Sequence, residues 1–243
     1  MCGRFTLKTP VDEWLNDLFP DPGGGSHVCS GQSGDKLHQA DPALWVPRYN
    51  IAPTQSILTL RIDETGEFLL EPMRWGLIPN WARTLNTGYS MFNARMESME
   101  EKASFKNLIA DHRCVVLADG YYEWKTETGG RKVPYWIHRP AERGFAMAGL
   151  WTTNRNISQT CLISTTIITV PANPDTKAVH DRMPAIFLDG ESILCWLQLG
   201  QTELERSQWF SQDLPAGSFS LRRVSSAVNN ARHEGASLLE AQD

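Results

Sequence analysis

From about Pro53 onward the chain reads mainly as β-strand, with short apolar runs bounded by turn residues. Residues 55–62 and 67–75 flank the polar stretch Asp63-Glu64-Thr65-Gly66, which predicts a hairpin. Apolar runs at 114–118, 121–125, 134–138, 145–151 and 161–170 predict further strands. Thr128-Gly129-Gly130 marks a second hairpin turn, and a last strand falls around 219–224. Helical signals are few. Thr9 suits an N-cap, Pro10 a first helical position, and Asp12 and Glu13 a first turn, so a short helix would bury Trp14, Leu15 and Phe19. Ser98 with Glu101 fits a capping box, predicting a helix over 99–111 with Phe105, Leu108 and Ile109 on one face. Two more helices are predicted near 190–199 and 202–211. Strands outnumber helices without a βαβ alternation. This argues for an α+β fold with a mainly antiparallel sheet or barrel-like core and peripheral helices.

No internal repeat or linker divides the chain, so residues 1–243 are expected to form a single domain. Residues 21–42 are rich in Gly, Ser and Asp and lack an apolar period, so a flexible surface insertion is expected at about 21–45. The formal net charge is -5. That weighs against a non-specific duplex binder and requires any nucleic-acid surface to be a local patch. No apolar run approaches a membrane span, and the start lacks the apolar stretch of a secretory signal. The expected location is therefore the cytoplasm, with nucleoid association if the host is prokaryotic.

The five cysteines are scattered, with no CxxC pair or zinc-ligand spacing. Cys114, Cys161 and Cys195 lie in apolar stretches and read as buried small hydrophobes, while Cys29 sits in the Gly/Ser-rich segment. Cys2 is different. Initiator Met is trimmed when a small residue follows, which would leave Cys2 as a terminal 1,2-aminothiol. Such a group condenses with an aldehyde through its amine, and the thiol then closes onto the imine carbon to give a thiazolidine. The α-amine titrates near 7.7–8.0 against about 10.4 for lysine, so its neutral fraction at pH 7 is on the order of a few hundred times larger. The unperturbed thiol, near 8.5, would be partly available as well.

Several segments keep company with Cys2-Gly3-Arg4-Phe5. They are Arg48-Tyr49-Asn50-Ile51-Ala52-Pro53-Thr54, Arg74-Trp75-Gly76-Leu77-Ile78-Pro79-Asn80-Trp81, Phe92-Asn93-Ala94-Arg95-Met96-Glu97, Ala118-Asp119-Gly120-Tyr121-Tyr122-Glu123-Trp124 and Val179-His180-Asp181-Arg182-Met183-Pro184. In this order they closely resemble the SRAP family (SOS-response-associated peptidase, also called the abasic-site processing family), from residue 2 to about residue 235. The resemblance implies a covalent thiazolidine between Cys2 and the ring-opened sugar of an abasic site in single-stranded DNA. Such an adduct would shield the lesion during the DNA damage response. It implies Asn93 as the residue that orients the cysteine and the sugar, with Glu123 and His180 completing the catalytic set. Arg4 and Arg95 become phosphate contacts, and Trp75 and Trp81 groove-lining aromatics. Arg48, Arg74 and Arg182 are further candidate DNA contacts. The expected partner is single-stranded DNA with abasic sites, bound by a monomer, with no cofactor, metal or membrane.

The chemistry is consistent with that implication. Opening a hemiacetal and dehydrating a carbinolamine both need an acid and a base at one carbon. His180 is assigned to ring opening as general acid, and Glu123 to proton transfer with the amine and the departing water. Tyr121, Tyr122 and Trp124 around Glu123 should raise its pKa by desolvation. Plainer roles compete: core packing for Trp75, Trp81 and Trp124, a structural ion pair for Arg182 with Asp181, a turn residue at Asn93, and a surface histidine at His180. Arg222-Arg223 reads as a solvated strand face, and Val228-Asn229 as a support behind the site. Family members often carry an arginine before the phenylalanine at the position of Phe105; here that DNA contact is either missing or carried by Lys102 or Lys106. Rival functions are an N-terminal-nucleophile peptidase or amidohydrolase, an abasic-site lyase using only the amine, and a passive single-strand binder. With Met1 alone ahead of Cys2, no propeptide awaits processing.

Overall fold

The computed structural model describes residues 2–19, 45–86, 91–157, 160–198 and 214–242. Its strands are β1 (Phe5–Leu7), β2 (Arg48–Ile51), β3 (Ser56–Ile62), β4 (Phe68–Trp75), β5 (Asn93–Arg95), β6 (Arg113–Ala118), β7 (Gly120–Thr126), β8 (Lys132–His138), β9 (Phe145–Asn154), β10 (Leu162–Pro171), β11 (Arg182–Pro184), β12 (Ile186–Phe187) and β13 (Ser220–Arg223). The described α-helices are α1 (Val11–Leu18), α2 (Met96–Met99) and α3 (Gly190–Leu197). One sheet has the order β13-β8-β7-β1-β2. In the other, β10 pairs with both β4 and β9, so β10, β4, β3, β6 and β9 close into a ring. Every pairing in that ring is antiparallel except β4 with β10. This is the α+β architecture with a barrel-like core that the pattern predicts, and both hairpin turns fall where expected.

The main core lies between the ring and the five-stranded sheet and takes in Phe5, Trp14, Trp75, Tyr121, Met147 and Trp196. A smaller core of Tyr122, Trp136, Val224, Val228 and Leu239 covers the other face of the five-stranded sheet. Strand alternation explains the division: successive residues of β7 point to opposite faces, so Tyr121 and Glu123 share one side while Tyr122 and Trp124 share the other.

The first strand is fastened by a buried carboxylate. Asp119 is fully buried and accepts hydrogen bonds from Thr6 Oγ1 at 2.5 Å, Lys8 N at 2.6 Å and Thr9 N at 2.9 Å. The Trp136 indole donates to Thr6 Oγ1 at 3.2 Å. Gly120 is needed because a Cβ there would lie 2.0 Å from Trp136 Nε1. Gly76 leaves β4 with φ 115°, a left-handed conformation that favours glycine.

The structure corrects three expectations. The first helix starts at Val11, so Pro10 is its cap, and the Thr9 N–H is committed to Asp119. In place of a helix over 99–111, α2 ends at Met99 and turns continue to residue 111. Ser98 and Glu101 therefore sit at a helix end, and the turns mix three- and four-residue bonds, as in Phe105 N and Lys106 N to the Lys102 carbonyl. The expected apolar face survives, with Phe105 and Ile109 buried. Third, Cys161 is exposed and Cys195 half-buried; of the three apolar-context cysteines only Cys114 is buried, its pKa pushed up to about 12 by burial. The helix near 202–211, Cys29 and the insertion up to residue 44 lie outside the described residues.

Two substitutions test the fastening. Asp119→Asn turns an N–H toward the Lys8 and Thr9 donors and should cost about 3 kcal/mol in urea unfolding. Gly120→Ala should cost about 2 kcal/mol by driving a methyl into the Trp136 ring. Unchanged urea midpoints would show that β1 is held by other contacts.

Candidate active site

The site forms where the two sheets meet. β1 lies between β7 and β2, pairing Phe5 with Tyr121, while the Tyr122 N–H donates to the Arg4 carbonyl at 2.9 Å. That antiparallel register carries the residues ahead of Phe5 back along β7 toward Glu123. From the ring, β5 runs parallel to β10, pairing Asn93 with Ile167. Its first side chain reaches across: Asn93 Nδ2 donates to the Cys2 carbonyl at 2.7 Å. The other amide atom, Asn93 Oδ1, is buried and has no hydrogen-bond partner among the described residues. The turn between β10 and β11 supplies His180, which lines a cavity of about 370 Å³ together with Glu123, Trp124, Lys132 and Asn229. Four residues far apart in sequence, Cys2, Asn93, Glu123 and His180, are thus gathered by β1, β5, β7 and the β10–β11 turn.

His180 Nδ1 lies 2.9 Å from the Arg182 backbone N–H and 2.9 Å from Asp181 Oδ1. In the neutral ring, Nδ1 accepts from Arg182, which leaves the hydrogen on Nε2. In the charged ring, Nδ1–H turns to Asp181. The Nε2 position therefore carries a proton in both forms.

The expected DNA contacts separate into two groups. Trp81 is 61% exposed, a stacking face on the loop between β4 and β5. Arg95 is exposed two residues beyond Asn93 and so on the same face of β5. The rest are engaged within the protein. Arg4 donates to Asn50 Oδ1 at 2.7 Å and to the carbonyls of Val228 and Asn229 at 2.5 and 3.1 Å. Arg48 binds the Ser56 carbonyl and Gln55, and Arg74 binds the Thr54 carbonyl. Arg182 forms an ion pair, though with Glu97 rather than Asp181, through two contacts at 2.5 and 3.0 Å. Trp75 does not line a groove: it is fully buried, edge-on to Phe5 and Phe92, with its indole N–H on the Phe92 carbonyl at 2.8 Å. Arg222 is no solvated strand face, since it pairs with Glu142 and lies over Trp136. Lys102 and Lys106 are exposed.

Two neighbours went unassigned in the sequence. Lys132 reaches the cavity because the Thr-Gly-Gly turn sets it opposite Thr126 beside β7; the hairpin register was the available signal. Asn50 is buried and ties β2 to the carboxy-terminal turns through the carbonyls of Val228, Asn230 and His233. Asn229, by contrast, supports the site as expected, accepting from the Trp124 indole at 2.8 Å. Among the described residues, no group of three or more His, Cys, Asp and Glu side chains is placed to hold a metal ion.

Comparison with known proteins points one way. The family model described as SOS response associated peptidase (SRAP) matches residues 1–231. The abasic site processing protein YoqW of Bacillus subtilis is 35% identical over 99% of this chain and 100% of its own. The abasic site processing protein HMCES of Xenopus tropicalis is 31% identical over 96% of this chain and 76% of its own. Among solved structures, a Bacteroides thetaiotaomicron protein shares the fold with a TM-score of 0.77 at 22% identity, covering 99% of this chain and 100% of that one. A phage-related protein of Bordetella bronchiseptica gives 0.68 at 26% identity, with both chains fully covered.

Electrostatics set the protonation states. Cys2 is fully buried, and burial, followed by the Glu123 carboxylate, pushes its thiol well above the usual range. The Sγ–H points to the Arg4 carbonyl at 3.6 Å. The partly ionised thiol expected from sequence is thus replaced by a neutral one. Burial also raises the Glu123 carboxyl, against the opposing pull of His180 and the Trp124 backbone N–H. The desolvation expected for Glu123 is present, although Tyr122 and Trp124 lie across the sheet from it.

A carboxyl raised in the fold favours the folded state below its unfolded pKa, and that contribution is lost as pH rises through the folded pKa. Glu123→Gln removes the strained anion. It should raise the melting temperature at pH 7 by a few degrees, with the gain fading as pH falls and wild-type Glu123 takes up its proton. Equal melting curves at pH 7 would show that Glu123 ionises without strain.

Proposed function

Since the chain belongs to the SOS response associated peptidase family, we propose that it processes abasic sites in single-stranded DNA by forming a covalent bond through Cys2. The observation that carries this reading is that Glu123 and His180 line one cavity, while Cys2, held by Asn93, lies close enough to Glu123 for the carboxylate to act on its thiol. With Met1 removed, Cys2 presents a free α-amine next to Asn93, whose unpartnered Oδ1 is suited to accept from it. His180 donates a proton to the ring oxygen while the Glu123 carboxylate takes the proton of the anomeric hydroxyl and passes it back to the imidazole, which opens the sugar to its aldehyde. The amine attacks the carbonyl carbon, and its surplus proton passes to Glu123. Protonated Glu123 returns it to the new alkoxide to give the carbinolamine, and the second nitrogen proton follows the same route to the hydroxyl, which leaves as water. The sulfur adds to the imine carbon while its proton moves by way of Glu123 to the nitrogen, closing the thiazolidine. One water is lost overall.

The neutral thiol favours this route over an N-terminal-nucleophile peptidase. A cysteine protease needs a thiolate, and such enzymes lower the thiol pKa, whereas burial and Glu123 raise it in this fold. In the proposed sequence the amine attacks first, and the thiol is needed only at ring closure, next to a base. Trp81 and Arg95 offer a stacking face and a phosphate contact for the flanking strand. The resulting adduct would shield the lesion during the DNA damage response, with a single strand preferred because the missing base removes the cost of presenting the nucleotide.

Protein with a verified Cys2 terminus, incubated with a single-stranded oligonucleotide carrying one abasic site, should give a heat-stable adduct. Its mass should equal protein plus DNA less one water, and Cys2→Ala should give none. An adduct trapped only with borohydride, or full activity in Cys2→Ser, would replace the proposal with a lyase using the amine alone. Equal yields on duplex and single-stranded abasic DNA would remove the strand preference.

A further inference from the structure

Beside the site cavity lies a second one of about 410 Å³, lined among others by Arg131, Lys132, Pro134, Arg223, Ser225 and Ser226. Lys132 belongs to both, so the two cavities adjoin. Lys132 opens β8 directly after Arg131, and Arg223 closes the neighbouring β13, opposite Tyr135. No carboxylate side chain lines the second cavity. Among the described residues, the side chains of Arg131, Lys132 and Arg223 have neither an ion pair nor a hydrogen bond.

Many of the other arginines are committed within the protein. Its net charge is -5, and Arg4, Arg48, Arg61, Arg74, Arg182 and Arg222 are all held by carboxylates, amides or carbonyls. Three cations left side by side around one cleft repel one another unless an external anion joins them. Guanidinium groups bind phosphate bidentately, and serine hydroxyls add donors. A strand that presents one nucleotide to Glu123 and His180 must continue past the rim, and the Lys132 side of that rim opens into this cleft.

We propose that Arg131, Lys132 and Arg223 receive the phosphates that flank the abasic nucleotide on one side, a subsite of the DNA-processing site proposed above and resting on that reading. The cleft sets affinity and strand direction and takes no part in the bond-forming steps.

The probe is a labelled single strand carrying a tetrahydrofuran abasic analogue, which has no aldehyde and cannot crosslink. Binding is followed by fluorescence anisotropy as a function of KCl. Wild type should bind, and Arg131→Gln with Arg223→Gln should weaken binding about tenfold at low salt. The slope of log affinity against log salt should become shallower by about 1.4, at about 0.7 per phosphate contact on a single strand. Replacing both residues by Lys should restore part of the affinity, which separates charge from packing. Adduct yield on true abasic DNA at saturating strand should be unchanged. Shortening the oligonucleotide to the abasic nucleotide on one side should abolish the difference between wild type and variant, and shortening the other side should preserve it.

Equal affinity and slope for the Gln variant, a difference that survives both truncations, or failure of wild type to bind the probe would overturn the subsite. Absence of any heat-stable adduct, with the salt slope still dependent on Arg131 and Arg223, would overturn the chemistry and leave the subsite standing.

Discussion

Everything at the site depends on keeping the first strand from fraying. Chain ends are ordinarily the least ordered part of a domain, yet β1 is an interior strand with neighbours on both sides. Three donors from Thr6, Lys8 and Thr9 converge on one buried carboxylate, and Arg4 is tied to Asn50 and to the carboxy-terminal turns. These bonds act on both sides of Phe5, which is itself buried against Trp75. The consequence is positional. Cys2 is held closely enough for Asn93 to reach its carbonyl, and its sulfur lies in a dry environment rather than in solvent.

That dryness separates two kinds of cysteine chemistry. A nucleophilic thiolate requires a setting that lowers the thiol pKa, commonly a cation or a helix amino terminus. Here burial raises the thiol pKa most, and the Glu123 carboxylate acts in the same direction. A neutral thiol beside a carboxyl of raised pKa forms a proton reservoir shared by two groups. Such a pair suits a sequence in which a proton must leave nitrogen, reach oxygen and later return to nitrogen.

Much of this was legible in the chain. Period-two patterning and the polar turns at 63–66 and 128–130 located the hairpins, and the ordered motifs marked Cys2, Asn93, Glu123 and His180, which the fold brings together. Three things were hidden for physical reasons. A burial pattern does not reveal hydrogen-bond type, so the apolar face of Phe105 and Ile109 was correct while the continuous helix was not. An arginine in a motif does not show where its guanidinium is already engaged, so Arg4, Arg48, Arg74 and Arg182 looked like open phosphate contacts until their intramolecular partners were seen. The depth of Trp75 and the openness of Trp81, six residues apart in one motif, follow from the chain leaving β4 at Gly76, and nothing in the residue types distinguishes them.

The route of the chain along β10 has a consequence for divergence. β4 ends against Ser164 and Thr165, and β5 begins against Ile167, so both strands are registered on the same neighbour one after the other. The intervening excursion, which carries Trp81, is anchored at both ends, and the two ends are joined by the Leu77 N–H on the Met91 carbonyl. A change of length inside that closed loop can alter the surface around Trp81 without shifting Asn93. Selection is thereby given a segment whose changes need not propagate to the residues around Asn93.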